Sequence, residues 1–115
     1  MFDHLFNDFN FFLKIDSYEK AFQALEDIPR SENLAFLEEL ARRYENLGDA
    51  LPLYQDSELR ELALNCYRQS KQLYQQAQIN SRAQFIDELL RSDEIFSKSI
   101  NDIKNQLRRK VRLKI

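Results

Sequence analysis

Turn-forming residues are nearly missing from this chain. Of its 115 residues one is glycine and two are proline, where average usage supplies about 8 and about 6. Tight turns lean on glycine's left-handed backbone and proline's fixed φ, so hairpins and sheets are hard to build without them. Pro29, Gly48 and Pro52 also fall at the breaks between stretches of helical periodicity. The expectation is an all-α protein of about five helices. They form antiparallel helical hairpins, as a bundle or a repeat-like stack, with a long C-terminal helix packing across them.

Groups that do chemistry are just as scarce. Cys66 is the only cysteine and His4 the only histidine. A lone cysteine excludes an intramolecular disulfide and fits a reducing compartment. Nothing in the sequence brings His4 and Cys66 together as a nucleophile pair, and Cys66 lies on an apolar stripe, which suits a core thiol. One glycine cannot make a Gly-rich phosphate loop. The adjacent acids Glu38-Glu39, Asp87-Glu88 and Asp93-Glu94 point around a helix, and there is no Glu-x-x-His motif of the kind that holds metal pairs in helix bundles. No run approaches the ~18 consecutive apolar residues that span a bilayer, and the start Met-Phe-Asp-His lacks a signal peptide's basic opening. These absences lead us to expect a cytoplasmic protein that is not an enzyme and takes no cofactor or metal.

What is present is amphipathic. In the first segment Phe2, Leu5, Phe6, Phe9, Phe12 and Leu13 repeat at helical spacing, with Phe11 off that face. Its polar side carries Asp3 and Asp8 and only Lys14, unlike the Lys/Arg-rich polar face of membrane-surface helices. Asp16 with Glu19 has capping-box spacing for a second helix that presents Tyr18, Ala21, Phe22 and Leu25 and ends before Pro29. Ser31 is the expected N-cap of a third helix, with the stripe Leu34, Leu37, Leu40, Ala41, Tyr44 and Leu47 and the outer pairs Glu38–Arg42 and Glu39–Arg43. Gly48 is the expected left-handed stop. The fourth helix, from Asp56 or Ser57 to about Ala77, has the cleanest stripe: Leu59, Leu62, Ala63, Cys66, Tyr67, Ser70, Leu73, Tyr74 and Ala77. Ser81 with Gln84 is read as a second capping box, opening a last helix with Ile86, Leu89, Phe96, Ile100, Ile103 and Leu107 on its seam and Asp93 as the polar break. We expect one helical domain over 1–110 and a basic tail over 111–115.

Two places resemble tetratricopeptide repeats. Leu37-x-x-Leu40-Ala41-x-x-Tyr44-x-x-x-Gly48 is similar to that family's first helix, and Ala63-x-x-x-Tyr67-x-x-Ser70 to its second. Ile15-Asp16-Ser17-Tyr18-Glu19-Lys20-Ala21 and Ala24-Leu25-Glu26-Asp27-Ile28-Pro29 resemble a turn and a shortened second helix. The resemblance covers most of Ile15 to Ala77. It departs from the pattern by Ala41 in place of glycine, Leu37 in place of an aromatic, and an insertion between the two helices. It implies stacked helical hairpins that bind another protein.

Charge is lopsided. Met1 to Glu61 holds 14 acidic and 6 basic side chains, a net charge of −8, and Leu62 to Ile115 holds 5 and 11, a net charge of +6. The basic run Lys104, Arg108, Arg109, Lys110, Arg112 and Lys114 is the candidate site. It reads as a solvated tail or as a partner of the acidic half within the same chain, then as a surface for an acidic protein, and last as a phosphate-neutralising segment. It has no interleaved aromatic for stacking on bases. Off-stripe apolar residues, Phe11 and Phe36 above all, with Leu64 and Ile95, are surplus to one small core and mark a partner surface. The expected function is a small protein–protein interaction module (an adaptor, regulator or chaperone-like binder), with a homodimer as one form of partnership. A nucleic-acid-associated regulator using the basic segment is the alternative.

Overall fold

The structure, a computed structural model, describes residues 3–51, 57–91, 104, 105 and 107–109. Among these every regular element is helical, which makes the protein all-α. A single 3-10 turn, Asp3–Phe6, leads into α1 (Asn7–Lys14), α2 (Tyr18–Glu26), α3 (Leu34–Ala50), α4 (Ser57–Gln76) and α5 (Asn80–Arg91). Residues 104, 105 and 107–109 are again helical. Pro52, Asp93, Ile95, Phe96, Ile100, Ile103 and the expected 110/111 boundary lie outside the described residues, as does the continuation of the last helix past Arg91. Of the described helices α4 is the longest, at 20 residues.

The central layer is the α3–α4 pair, because these two helices carry the longest unbroken apolar stripes. Leu37, Leu40, Ala41, Tyr44 and Leu47 of α3 and Ala63, Cys66, Tyr67, Leu73 and Tyr74 of α4 are all buried. Ser70, the polar member of the α4 stripe, donates its hydroxyl to the Ala41 carbonyl at 3.0 Å, so the interface holds no orphaned hydroxyl. Phe6 and Phe9 add the N-terminal part of the core. The Arg43 guanidinium lies 4.8 Å from the Phe6 ring centroid and donates to Asn10 Oδ1 at 3.1 Å, which ties α1 to α3. Ala83, Ile86 and Leu89 of α5 are buried, and Lys71 bridges α4 to Asp87 of α5 at 2.7 Å. The pairs expected outside α3 form: Glu38–Arg42 at 3.3 Å and Glu39–Arg43 at 2.9 Å.

The bounds of α4 and the end of α2 before Pro29 are as expected, but several other helix ends differ. Asp16 does not cap α2. It sits at φ 58° and closes α1, with its N–H bonded to the Leu13 carbonyl at 3.1 Å and the Ser17 N–H to the Phe12 carbonyl at 2.8 Å. That is a Schellman closure, in which the left-handed residue usually is glycine. Gln78 repeats it at the end of α4: φ 64°, Gln78 N–H to Gln75 at 3.1 Å, Ile79 N–H to Tyr74 at 2.9 Å. The helix after it therefore begins at Asn80, and Ser81 lies inside the first turn instead of capping it. Ser31 does not cap α3 either. It accepts from the Asn33 N–H at 3.2 Å, and Asn33 is the cap, its Oδ1 accepting from the Phe36 N–H at 3.1 Å. Leu34, in the first turn, is 47% exposed, whereas Phe36, expected on a partner surface, is in the core at 2%, on the same side of the helix as Leu40 and Leu47.

Gly48 is likewise not a stop. The helix runs on to Ala50, and no glycine has a positive φ. A Cβ at position 48 would lie 2.8 Å from Tyr67 Cζ and 2.9 Å from Cε1. Glycine is there so that the tyrosine ring can lie against the α3 backbone. The ring is fully buried and its hydroxyl donates to Asp49 Oδ1 at 2.7 Å, so it has little freedom to move aside. Alanine would add up to about 1 kcal/mol of helix propensity, but forcing the contact costs about 1–3 kcal/mol. Gly48→Ala is expected to lower stability by up to about 2 kcal/mol in urea unfolding, with the loss shrinking when Tyr67→Leu is added. Gln78→Gly, which relieves an L-residue from the left-handed region, is expected to raise it by up to about 1 kcal/mol. Equal effects at the two sites would contradict these assignments.

Candidate functional site

Glu45, on the solvent-flanking edge of the α3 stripe, is 3% exposed. A carboxylate this deep needs donors on both oxygens. Tyr74 of α4 donates its hydroxyl to Oε1 at 3.0 Å, and Arg82 of α5 donates Nε to Oε1 at 3.0 Å and Nη2 to Oε2. The fourth donor is Lys104 Nζ, to Oε2. The same ammonium reaches Asp49 Oδ2 at 2.8 Å, and Asp49's other oxygen takes the Tyr67 hydroxyl. Two acids, two cations and two phenols from α3, α4, α5 and the C-terminal helical segment thus form one closed network.

The network sets its own protonation. Burial pushes the Glu45 carboxyl up, but the hydrogen bonds from Arg82 and Lys104 outweigh it and hold the group below 4.5. Burial pulls the Arg82 guanidinium down, and its bonds to Glu45 outweigh that and raise it. The Tyr74 hydroxyl is pushed up to about 12 by burial and then by the Glu45 charge. Tyr67 moves up for the same reasons, with Asp49 as the neighbouring charge. On the other side of α3, burial and the Glu26 acceptor raise Tyr44, whose hydroxyl donates to Glu26 at 2.6 Å and accepts from Arg30 at 3.1 Å.

Beside the network is an open groove of about 580 Å³. Its walls come from α3 (Glu38, Arg42, Asn46), from the turn into α5 (Ile79, Ser81, Arg82) and from the C-terminal segment (Lys104, Arg108).

The residues expected to form the basic site are thereby separated. Lys104 is 4% exposed and belongs to the core, so it is no part of a free tail; its partners are acids of the N-terminal half. Arg108 and Arg109 are exposed. Lys110, Arg112 and Lys114 lie outside the described residues. Of the two expected surface aromatics, Phe36 is buried and Phe11 is 58% exposed. Cys66 is fully buried, and burial pushes its thiol up to about 12, which keeps it protonated and inert. His4 is exposed in the N-terminal turn. Among the described residues no group of three or more His, Cys, Asp or Glu side chains is placed to hold a metal ion, and no helix is long and apolar enough to cross a membrane.

Glu45, Asp49 and Arg82 were not singled out by sequence reasoning, and Tyr74 was read only as part of the α4 stripe. A signal existed: Glu45 falls four residues after Ala41 and three before Gly48, so it continues a line of small residues along the packed face of α3. No protein-family model, curated protein or solved structure matches the chain.

The network yields two expectations. Lys104→Met leaves Asp49 and one oxygen of Glu45 facing a buried methionine, and breaking one side of such a buried pair costs about 3–5 kcal/mol. Adding Asp49→Asn restores charge balance around Arg82, so the double variant is expected to be more stable than Lys104→Met alone in urea unfolding. The pH dependence follows from Glu45. A carboxyl held lower in the folded state contributes stability that is complete above the unfolded value and is lost as pH falls through the folded one. Stability is therefore expected to decline as pH drops below 4.5, with the decline reduced in Glu45→Gln. A profile unchanged by that substitution would remove Glu45 from this role.

Proposed function

We propose that this chain is a small cytosolic protein–protein interaction module, an adaptor, regulator or chaperone-like binder without catalytic activity. The carrying observation is the outer side of α1 and its C-terminal cap. Phe11 and Ile15, one helical turn apart, are 58% and 55% exposed. They are the two most exposed large apolar side chains described, and they share one side of the helix. Phe11 is propped edge-on against Phe12, ring centroids 5.5 Å apart. An aromatic presented on a rigid helix beside a second apolar group is the material of interface anchors. The resemblance of Ile15 to Ala77 to tetratricopeptide hairpins supports the same reading.

The titrating groups also favour a binder. General acid–base work at neutral pH wants a group tuned toward neutrality. The shifted groups here move the other way: the Tyr44, Tyr67, Tyr74 and Cys66 protons are held more tightly, and Glu45 and Asp87 are held charged. The nucleic-acid reading keeps Arg108 and Arg109, but Lys104 is spent on Glu45 and Asp49.

The test is photo-crosslinking. A benzophenone side chain at position 11, in cells that make the chain, is expected to give a discrete protein adduct that Ile15→Asp reduces. An adduct at twice the chain's mass identifies the partner as a second copy. Adducts no stronger than those from exposed position 32 would sink the reading.

A further inference from the structure

We propose that the groove between α3, the start of α5 and the C-terminal segment binds an acidic side chain of a partner's peptide segment, with Arg108 as its cation. The inference rests on the protein-binding reading and gives it a second, chemically different contact.

The argument is which charges in the groove are already matched. Glu38 is paired with Arg42. Glu45 holds Arg82 and Lys104, and Asp49 holds Lys104. Every carboxylate lining the groove thus has a cation of this chain. The converse is not true, because Arg108 has no carboxylate among the described residues. Its guanidinium reaches only the Asn105 amide oxygen, at 3.5 Å, and lies 6.0 Å from the Phe85 ring. That ring is flanked by Arg82 as well, at 4.8 Å. Among the described residues the groove holds one more cation than it has carboxylates to match.

Its remaining capacity is neutral. The Asn46 amide and the Ser81 hydroxyl also line the groove. One planar guanidinium with amide and hydroxyl groups nearby suits a carboxylate, which accepts in bidentate fashion, followed by a peptide unit. The volume lies within the usual range of ligand sites, about 300–1,000 Å³. The lining, however, is polar and open, where small-molecule sites are mostly apolar and enclose their ligand. A phosphodiester chain fits less well. It needs several free cations, and here it would face Glu38, Glu45 and Asp49 with one.

The test is a titration of the ¹⁵N-labelled full chain with an end-blocked hexaglutamate peptide, followed by chemical shifts. Controls are the hexaglutamine peptide, inorganic phosphate and a single-stranded oligothymidylate. Saturable shifts at Asn46, Ser81 and the Arg108 side chain are expected with hexaglutamate alone, weakening as salt rises. Arg108→Ala is expected to weaken binding by about threefold or more, as for a partly exposed ion pair. Because Arg108 is exposed, the variant should keep its fold, and an unchanged unfolding midpoint verifies this. No shifts, equal shifts with hexaglutamine or phosphate, tighter binding of oligothymidylate, or indifference to Arg108→Ala each overturns the proposal. Shifts gathered at Phe11 and Ile15 instead would overturn the groove while leaving the protein-binding reading in place. Conversely, crosslinking from position 11 can fail while the groove still titrates.

Discussion

The carboxylate of Glu45 is the constraint on which the rest of the arrangement depends. It is carried by the central helix and is only 3% exposed, where an ion without partners costs several kcal/mol. The chain meets that cost by bringing one donor from each neighbouring element: Tyr74 from α4, Arg82 from α5 and Lys104 from the C-terminal segment. Apolar contact alone lets packed helices slide, since a leucine is satisfied by many neighbours. A guanidinium that gives both Nε and Nη2 to one carboxylate accepts a much narrower geometry. Lys104 adds a second requirement, because its ammonium must sit between Glu45 and Asp49. The position of the C-terminal segment is therefore set by polar groups at least as much as by the nearby burial of Leu107.

Three tyrosines repeat one solution to the same problem. Tyr44, Tyr67 and Tyr74 each bury the ring and donate the hydroxyl to a carboxylate, Glu26, Asp49 and Glu45 respectively. Tyrosine supplies a large apolar body and one polar end, so it can cross a core and still satisfy a buried acceptor. Burial and the adjoining negative charge both hold the phenolic proton in place, so the donor does not fail at neutral pH. Part of the acidic surplus of the N-terminal half is thereby used inside the fold as acceptors.

How far the sequence was legible follows from how far apart the deciding residues lie. The α4 stripe could be read because its periodicity is local: Ala63, Cys66, Tyr67, Ser70, Leu73, Tyr74 and Ala77 are all buried as expected. The bounds of α4 and the end of α2 before Pro29 could be read as well, but several other helix ends could not. Asp16, Ser31 and Ser81 are each good caps in isolation, and the choice among closely spaced candidates is made by packing. Gln78 carries no sign of a left-handed backbone, because glutamine rarely adopts one. Gly48 is consistent with a helix stop and with a close approach, and the residue that decides, Tyr67, is on another helix. Phe36 is surplus to a narrow stripe through Leu34 and Leu37, but four residues before Leu40 it belongs to a wider buried face of α3. For Lys104 the acids that bury it are 59 and 55 positions away, whereas the basic residues that made it look like tail are its immediate neighbours.

The division of charge between the two halves of the chain takes on a different meaning once these pairs are placed. A net charge of −8 facing one of +6 suggests a molecule with an acidic end and a basic end, each open to partners. Instead, the contacts of Arg82 and Lys104 with Glu45, and of Lys104 with Asp49, run from one half to the other. Part of the polarity, two cations and two acids, is therefore spent in holding the C-terminal part of the chain against α3. Pairing within the chain also lowers the field that reaches solvent, since the fields of opposite charges held together largely cancel at distances longer than their separation. The charge that still reaches outward is what the internal pairs leave over. On the groove side that remainder is the Arg108 guanidinium, which meets no carboxylate among the described residues and has only the Asn105 amide oxygen at 3.5 Å.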